Sequence, residues 1–372
     1  MRLQYAWFTL LHFLSPSFSL PLQVPPTTSP RSSPLPDLPR LVIYYQTTHD
    51  SLGNPISMLP LVTEKNIALT HLIICSLHIN PGSTIHLNDH PPSDPHFTTL
   101  WAEARVLADA GVRVMGMIGG AAPGSFTAQT LDAPPGSNST AFEHYYGQLR
   151  DVIRTYGLGG LDLDVEQSMS QAGITRLVER LYADFGPGFV VTLAPVASAL
   201  ENGGNLSGFD YGDLEAAAGD EIGFYNAQFY NGFGSMASTA AFDGVVANGW
   251  EAEKIVVGQI TTPDNGGQYV SFDVLNRTIG ELRGRYGEIG GIMGWEYFNS
   301  QPGGTAEPWE WAQRMTEILR PEGTFNLTVT RETAEMLEGA WRRSVLGGSV
   351  QGVGGQYTGV LPDVDYMAMV NS

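Results

Sequence analysis

The chain has 372 residues, 42% of them hydrophobic and 15% charged, enough to bury the core of one large domain or two ordinary ones. Nineteen Lys+Arg against 38 Asp+Glu give a formal charge of −19 with no basic cluster or stripe, which excludes a surface built for nucleic acid. Cys75 is the single cysteine, which excludes an intrachain disulfide, and its place in the apolar run LIICSL reads as a small core residue.

At the N-terminus, MRLQYAWFTLLHFLSPSFSLPLQ carries a basic Arg2, a short apolar run over 6–14 and small residues over 17–19. That is the form of a secretory signal peptide, taken as 1–19, so a secreted, extracellular protein is expected. No later run approaches the roughly 20 apolar residues of a membrane helix, so no membrane partner is expected. Residues 20–38, dense in Pro and Ser, read as a linker or pro-segment.

From residue 39, apolar runs of strand length alternate with stretches of helical period. The strands are LVIYYQ (41–46), HLIICSL (71–77), VRVMGMI (112–118), GLDLDVE (160–166), FVVTLAP (189–195), FYNAQFY (224–230), KIVVGQI (254–260) and GIMGWEYF (291–298). Helical patterns fall at 141–157, 173–186, 274–287 and 308–320. Eight βα units in roughly 280 residues predict an α/β fold, a (β/α)8 TIM barrel, with an open doubly wound sheet as the competitor. The span 259–290 holds one helix and a short loop, so a single catalytic domain (39–320) without a large insertion subdomain is expected, with an open groove at its mouth. Beyond it, 321–372 reads as a C-terminal extension with an amphipathic helix over 331–346 and a flexible glycine-rich tail.

The fourth strand carries the chemistry. Alternation puts Leu161, Leu163 and Val165 on one face and Asp162, Asp164 and Glu166 on the other. The apolar set belongs against the helical shell, so the acids climb the barrel interior in steps of roughly 6 to 7 Å toward the C-terminal mouth, where barrel active sites are built. Burial and mutual repulsion raise carboxyl pKa values, so some of the three must hold protons, as a general acid does. Asp-x-Asp-x-Glu also suits a hard cation, the weaker reading because no turn glycine or second acidic loop completes a calcium site. The eight histidines form no zinc spacing, and GMIGGAAPG lacks the lysine of a phosphate loop, so neither metal nor cofactor is expected.

GGLDLDVE (159–166) resembles the Asp-x-x-Asp-x-Asp-x-Glu signature of glycoside hydrolase family 18. Asp162, Asp164 and Glu166 take its last three acidic positions. Gly159 takes the first, where the family's Asp is a support deep in the strand. MIGG (117–120) resembles the family's Ser-x-Gly-Gly with the serine replaced, AQFYNGFG (227–234) its Gln-x-Tyr-Asn form of strand six, and GWEYFNS (294–300) supplies the strand-eight tryptophan, Trp295. Five longer stretches (41–50, 115–126, 161–170, 228–237 and 293–312) resemble the secreted filamentous-fungal endo-β-N-acetylglucosaminidases of the Endo T kind.

The resemblance implies cleavage between the two core GlcNAc residues of N-linked glycans, mainly high-mannose, by a monomer. A short-cleft endochitinase of the same family is the alternative, and a non-catalytic lectin-like member, which normally lacks the proton donor, a weaker one. Glu166 would protonate the glycosidic oxygen while the 2-acetamido carbonyl of the −1 sugar attacks C1, since Asp164, roughly 7 Å along the same strand, is poorly placed as a nucleophile. Asp164 would orient the acetamido group, Asp162 would exchange a proton with Asp164, and Tyr230 would hydrogen-bond the attacking oxygen. Trp295 would floor the −1 sugar. Gln228, Asn231, Tyr44, Gly119 and Gly120 complete the expected substrate contacts. Asn138, Asn205, Asn276 and Asn326 sit in glycosylation sequons.

Overall fold

The computed structural model describes residues 38–134 and 139–349. The signal, most of the linker, Asn138 and the glycine-rich tail lie outside the described residues.

Eight parallel strands close into a barrel: β1 Arg40–Tyr45, β2 His71–His78, β3 Arg113–Gly119, β4 Gly160–Asp164, β5 Val190–Leu193, β6 Ile222–Gln228, β7 Ile255–Ile260 and β8 Gly291–Trp295. Each pairs in parallel with its neighbour in sequence, and β1 pairs with both β2 and β8, so the ring has no open edge and the doubly wound alternative falls. A two-residue strand, His86–Leu87, pairs antiparallel with the end of β2. Between β7 and β8 stand one short 3-10 turn and the helix Phe272–Tyr286, with no inserted subdomain.

Strand alternation sorts the core into two layers. Leu161, Leu163 and Val165 pack with the helices in the outer layer. Tyr44, Cys75, Met117, Phe224 and Tyr230 fill the interior. Cys75 is fully buried there, and burial lifts its thiol pKa well above the usual range, as befits a core residue.

The interior is electrostatically graded along its axis. At the N-terminal end the Arg40 guanidinium lies 4.5 Å from the centre of the Phe224 ring, and His71 meets that ring edge-on at 5.1 Å. Burial, then the charges of Arg40 and Arg113, push His71 down to about 3, so it stays neutral. The acids occupy the other end.

Within the C-terminal extension the described residues form the expected helix. Helix Arg331–Ser349 docks on the outer helix Thr98–Asp109 through Ala334 and Leu337 against Val106, and the Arg105 guanidinium lies 4.9 Å from the centre of the Trp341 ring.

Candidate active site

The acids of β4 point inward, as the alternation requires. Asp162 is fully buried, Asp164 is 6% exposed and Glu166, two residues past the strand, is half-buried at the mouth. Asp162 accepts hydrogen bonds from three strands: from the Tyr44 hydroxyl at 2.7 Å, the Thr192 hydroxyl at 2.5 Å and the Asn226 amide at 3.1 Å. Burial raises its carboxyl pKa and these donors pull it back.

Asp164 has a different environment. Among the described residues its donor is Gln228, whose Nε2 lies 3.3 Å from Asp164 Oδ1 and 3.2 Å from Glu166 Oε1. Burial, then the charge of Glu166, then that of Asp162, hold Asp164 well above the usual carboxylate range. It lies between one acid clamped by three donors and another that meets solvent. Such a middle carboxyl can take a hydrogen bond from either neighbour or give one, as reaction requires.

The segment after β4 holds Glu166 in place. The Ser207 hydroxyl donates to the Val165 carbonyl at 2.6 Å, the Gly124 N–H donates to Gln167 Oε1 at 2.7 Å and the Met169 N–H to the Ser207 carbonyl at 2.8 Å. Ser170 then caps helix Gln171–Phe185 by accepting from the Gly173 N–H. The five residues between strand and cap are tied at three points, so the acid projects from a fixed turn.

Gly119 and Gly120 serve this geometry from β3. The Gly120 N–H donates to the Asp164 carbonyl at 2.9 Å. Gly119 has φ +106°, and a Cβ there would lie 2.2 Å from that same carbonyl oxygen, so only glycine lets the two strand ends approach. A Cβ on Gly120 would stand 3.8 Å from Asp164 Oδ2, which places this residue directly beside the middle acid.

Tyr230, Trp295 and Tyr44 come together in the interior layer. Tyr230 is 6% exposed, and burial with the charges of Asp164 and Glu166 holds its phenol well above its usual pKa, so it remains a neutral donor. Trp295 ends β8 half-buried and meets the Tyr44 ring edge-on with centroids 5.7 Å apart. Asn231 is placed apart: it is exposed at φ +56°, and its Oδ1 accepts the Gly267 N–H at 2.7 Å, fastening the loop after β7. Gly159 lies at the foot of β4, where a Cβ would stand 3.4 Å from Arg113 Cγ and 3.7 Å from its guanidinium.

Sequence reasoning missed Thr192, Asn226, Tyr269 and Glu296. Strand alternation contained the signal for Asn226, which shares a face with Gln228 and Tyr230. Thr192 was visible only as a hydroxyl in the apolar run FVVTLAP. Tyr269 packs half-buried against the interior layer from a loop. A separate hollow of about 400 Å³, lined by Phe272, Asn276, Pro302 and Arg314 among others, lies away from the acids.

Three comparisons bear on this arrangement. Residues 40–266 match the model of the glycosyl hydrolases family 18. The solved structure of a fungal endo-β-N-acetylglucosaminidase of that family is 64% identical, with a TM-score of 0.75 over 77% of this chain and 100% of its own. Chitinase ChiC from Aspergillus fumigatus is 46% identical, with a TM-score of 0.67 over 74% of this chain and 98% of its own. Among curated proteins, an endo-β-N-acetylglucosaminidase from Flavobacterium sp. (strain SK1022) is 26% identical over 67% of this chain and 79% of its own length.

Proposed function

The chain belongs to glycosyl hydrolase family 18 and is a glycoside hydrolase, and from that premise we propose that it is a secreted endo-β-N-acetylglucosaminidase, cleaving the GlcNAc-β-1,4-GlcNAc core bond of N-linked, mainly high-mannose, glycans. The observation that carries the proposal is the graded acid ladder: a triply clamped Asp162, a buried Asp164 and a mouth-facing Glu166, the last two within reach of one amide, Gln228. The substrate preference rests on the 64% identity to a fungal enzyme of that activity, against 46% to a chitinase.

In the mechanism we propose, Glu166 gives a proton to the leaving glycosidic oxygen and the acetamido carbonyl of the −1 sugar closes on C1. Water opens the resulting oxazolinium with Glu166 as base, so configuration is retained. The ladder offers no second acid from a facing strand, because Asp162 and Asp164 leave β4 and Glu166 the turn directly after it. Gln228 holds Asp164 Oδ1, which leaves Oδ2 to turn toward the acetamido N–H as positive charge develops. Asp162, at the base, exchanges a proton with Asp164 as that carboxyl turns. The Tyr230 phenol orients the attacking oxygen, and Trp295 supplies the apolar floor. Export adds one corollary. Asn276 and Asn326 are exposed and free to carry glycans, whereas the Asn205 amide donates to the Phe209 carbonyl at 2.9 Å and is half-buried.

The test is product mass. Incubation with a high-mannose glycoprotein should leave protein bearing one GlcNAc per site. Cleavage of chitin oligomers with the glycoprotein untouched would transfer the assignment to a chitinase.

A further inference from the structure

We propose that Glu296 is a positioning residue for the reacting sugar: its carboxylate clamps the end of β8 to the end of β1 and thereby sets the Trp295 floor and the reach of Tyr44. This deepens the proposed function and rests on its reading of Trp295. Glu296 directly follows Trp295 and is 7% exposed. Its Oε2 accepts the N–H of Thr47 at 2.7 Å and of Gln46 at 3.2 Å, and its Oε1 accepts the Thr47 hydroxyl at 2.9 Å. Those donors begin two residues after Tyr44, whose hydroxyl holds Asp162.

The clamp continues on the other side. The Glu296 carbonyl accepts the Thr261 hydroxyl at 2.7 Å, and the Thr261 N–H donates to the Trp295 carbonyl at 2.9 Å. Trp295 is thus fixed from β7 through its backbone and from β1 through its successor's side chain. A buried carboxylate receiving two main-chain N–H groups has few alternative geometries, since loss of any one donor leaves it unsatisfied away from water. The indole plane and the Tyr44–Asp162 bond therefore share one support.

A second buried carboxylate separates positioning from simple fastening. Glu103 holds the far end of the same loop, accepting the Met58 N–H at 2.6 Å and the Ser57 hydroxyl at 2.9 Å, but it does so outside the barrel, from helix Thr98–Asp109. Both acids tie the loop down; only Glu296 adjoins the floor.

The experiment compares Glu296→Ala, Glu296→Gln, Glu103→Ala and Trp295→Ala for melting temperature, kcat and KM on a high-mannose glycopeptide. Glu296→Gln keeps an oxygen for the two N–H groups and an amide that can donate to the Thr47 hydroxyl, so it should stay within about threefold of the parent. Glu296→Ala should lower kcat between about ten- and a hundredfold while folded, because a small misplacement of a positioning group has that effect on rate. Glu103→Ala should lower the melting temperature and leave kcat within about threefold. If Glu296→Ala behaves as Glu103→Ala does, losing stability alone, positioning is overturned. If Trp295→Ala keeps full kcat, the reading of the floor fails and the proposal with it. If Trp295→Ala loses activity and Glu296→Ala keeps it, the clamp alone is rejected.

Discussion

Replacing Glu103 with glutamine should flatten the dependence of stability on pH. Glu103 is 4% exposed, and burial pushes its carboxyl from 4.5 up to about 7 despite the hydrogen bonds from Met58 and Ser57. Glu338, on the docked C-terminal helix, adds to the rise. A carboxyl whose pKa is higher in the folded chain than in the unfolded chain binds its proton more tightly when folded. Its contribution is therefore complete below pH 4.5 and is lost as pH rises through 7. The shift corresponds to about 3 kcal/mol between those limits. Urea denaturation of the parent and of Glu103→Gln at intervals from pH 4 to 8 measures it. Asp162 and Asp164 shift the same way and remain in both proteins, so the difference between the two curves isolates Glu103. The parent should lose about 3 kcal/mol more than the variant across that interval. Parallel curves would mean that Glu103 is already ionised in the fold, and the argument from burial would be wrong.

Three other substitutions follow from the same geometry. Tyr230→Phe removes a neutral donor from the interior and should lower kcat about a hundredfold with KM changed only a few-fold, as measured by steady-state kinetics. Gly119→Ala forces a side chain against the Asp164 carbonyl at φ +106° and should cost upward of about 3 kcal/mol with loss of activity; a variant as stable and active as the parent would contradict the packing. Gly159→Asp meets no such obstacle and places a carboxylate beside Arg113, so melting temperature and kcat should both stay close to the parent's, and collapse of either would show that the foot of β4 is closed to a side chain.

Much of the barrel was legible because its signals are local. Each strand is an apolar run bounded by turn residues, and the acids of β4 announce themselves by alternating with leucines inside one such run. The partners of those acids were harder to read. Thr192 and Asn226 reach Asp162 only because β5 pairs with β4, and β6 with β5, at particular registers, which no single strand specifies. Asn231 illustrates the converse: its neighbours in sequence mark it for the site, yet its left-handed backbone turns the side chain to the 266–268 loop. Glu296 carries no mark in the sequence beyond its place after Trp295, and its burial comes with the closure of β1 on β8. Helix Arg331–Ser349 shows an amphipathic pattern, but what it covers depends on the exposed face of a helix more than 200 residues earlier.

The central claim is that the substrate, not the protein, supplies the nucleophile. It is tested most directly by cleavage rates on a series of substrates whose −1 acetamido group carries zero, one, two or three fluorines. Each fluorine withdraws electrons from the carbonyl oxygen, so a neighbouring-group attack predicts a rate that falls steeply along the series. A rate that stays level from acetamido to trifluoroacetamido would place the nucleophile on the enzyme and contradict the account.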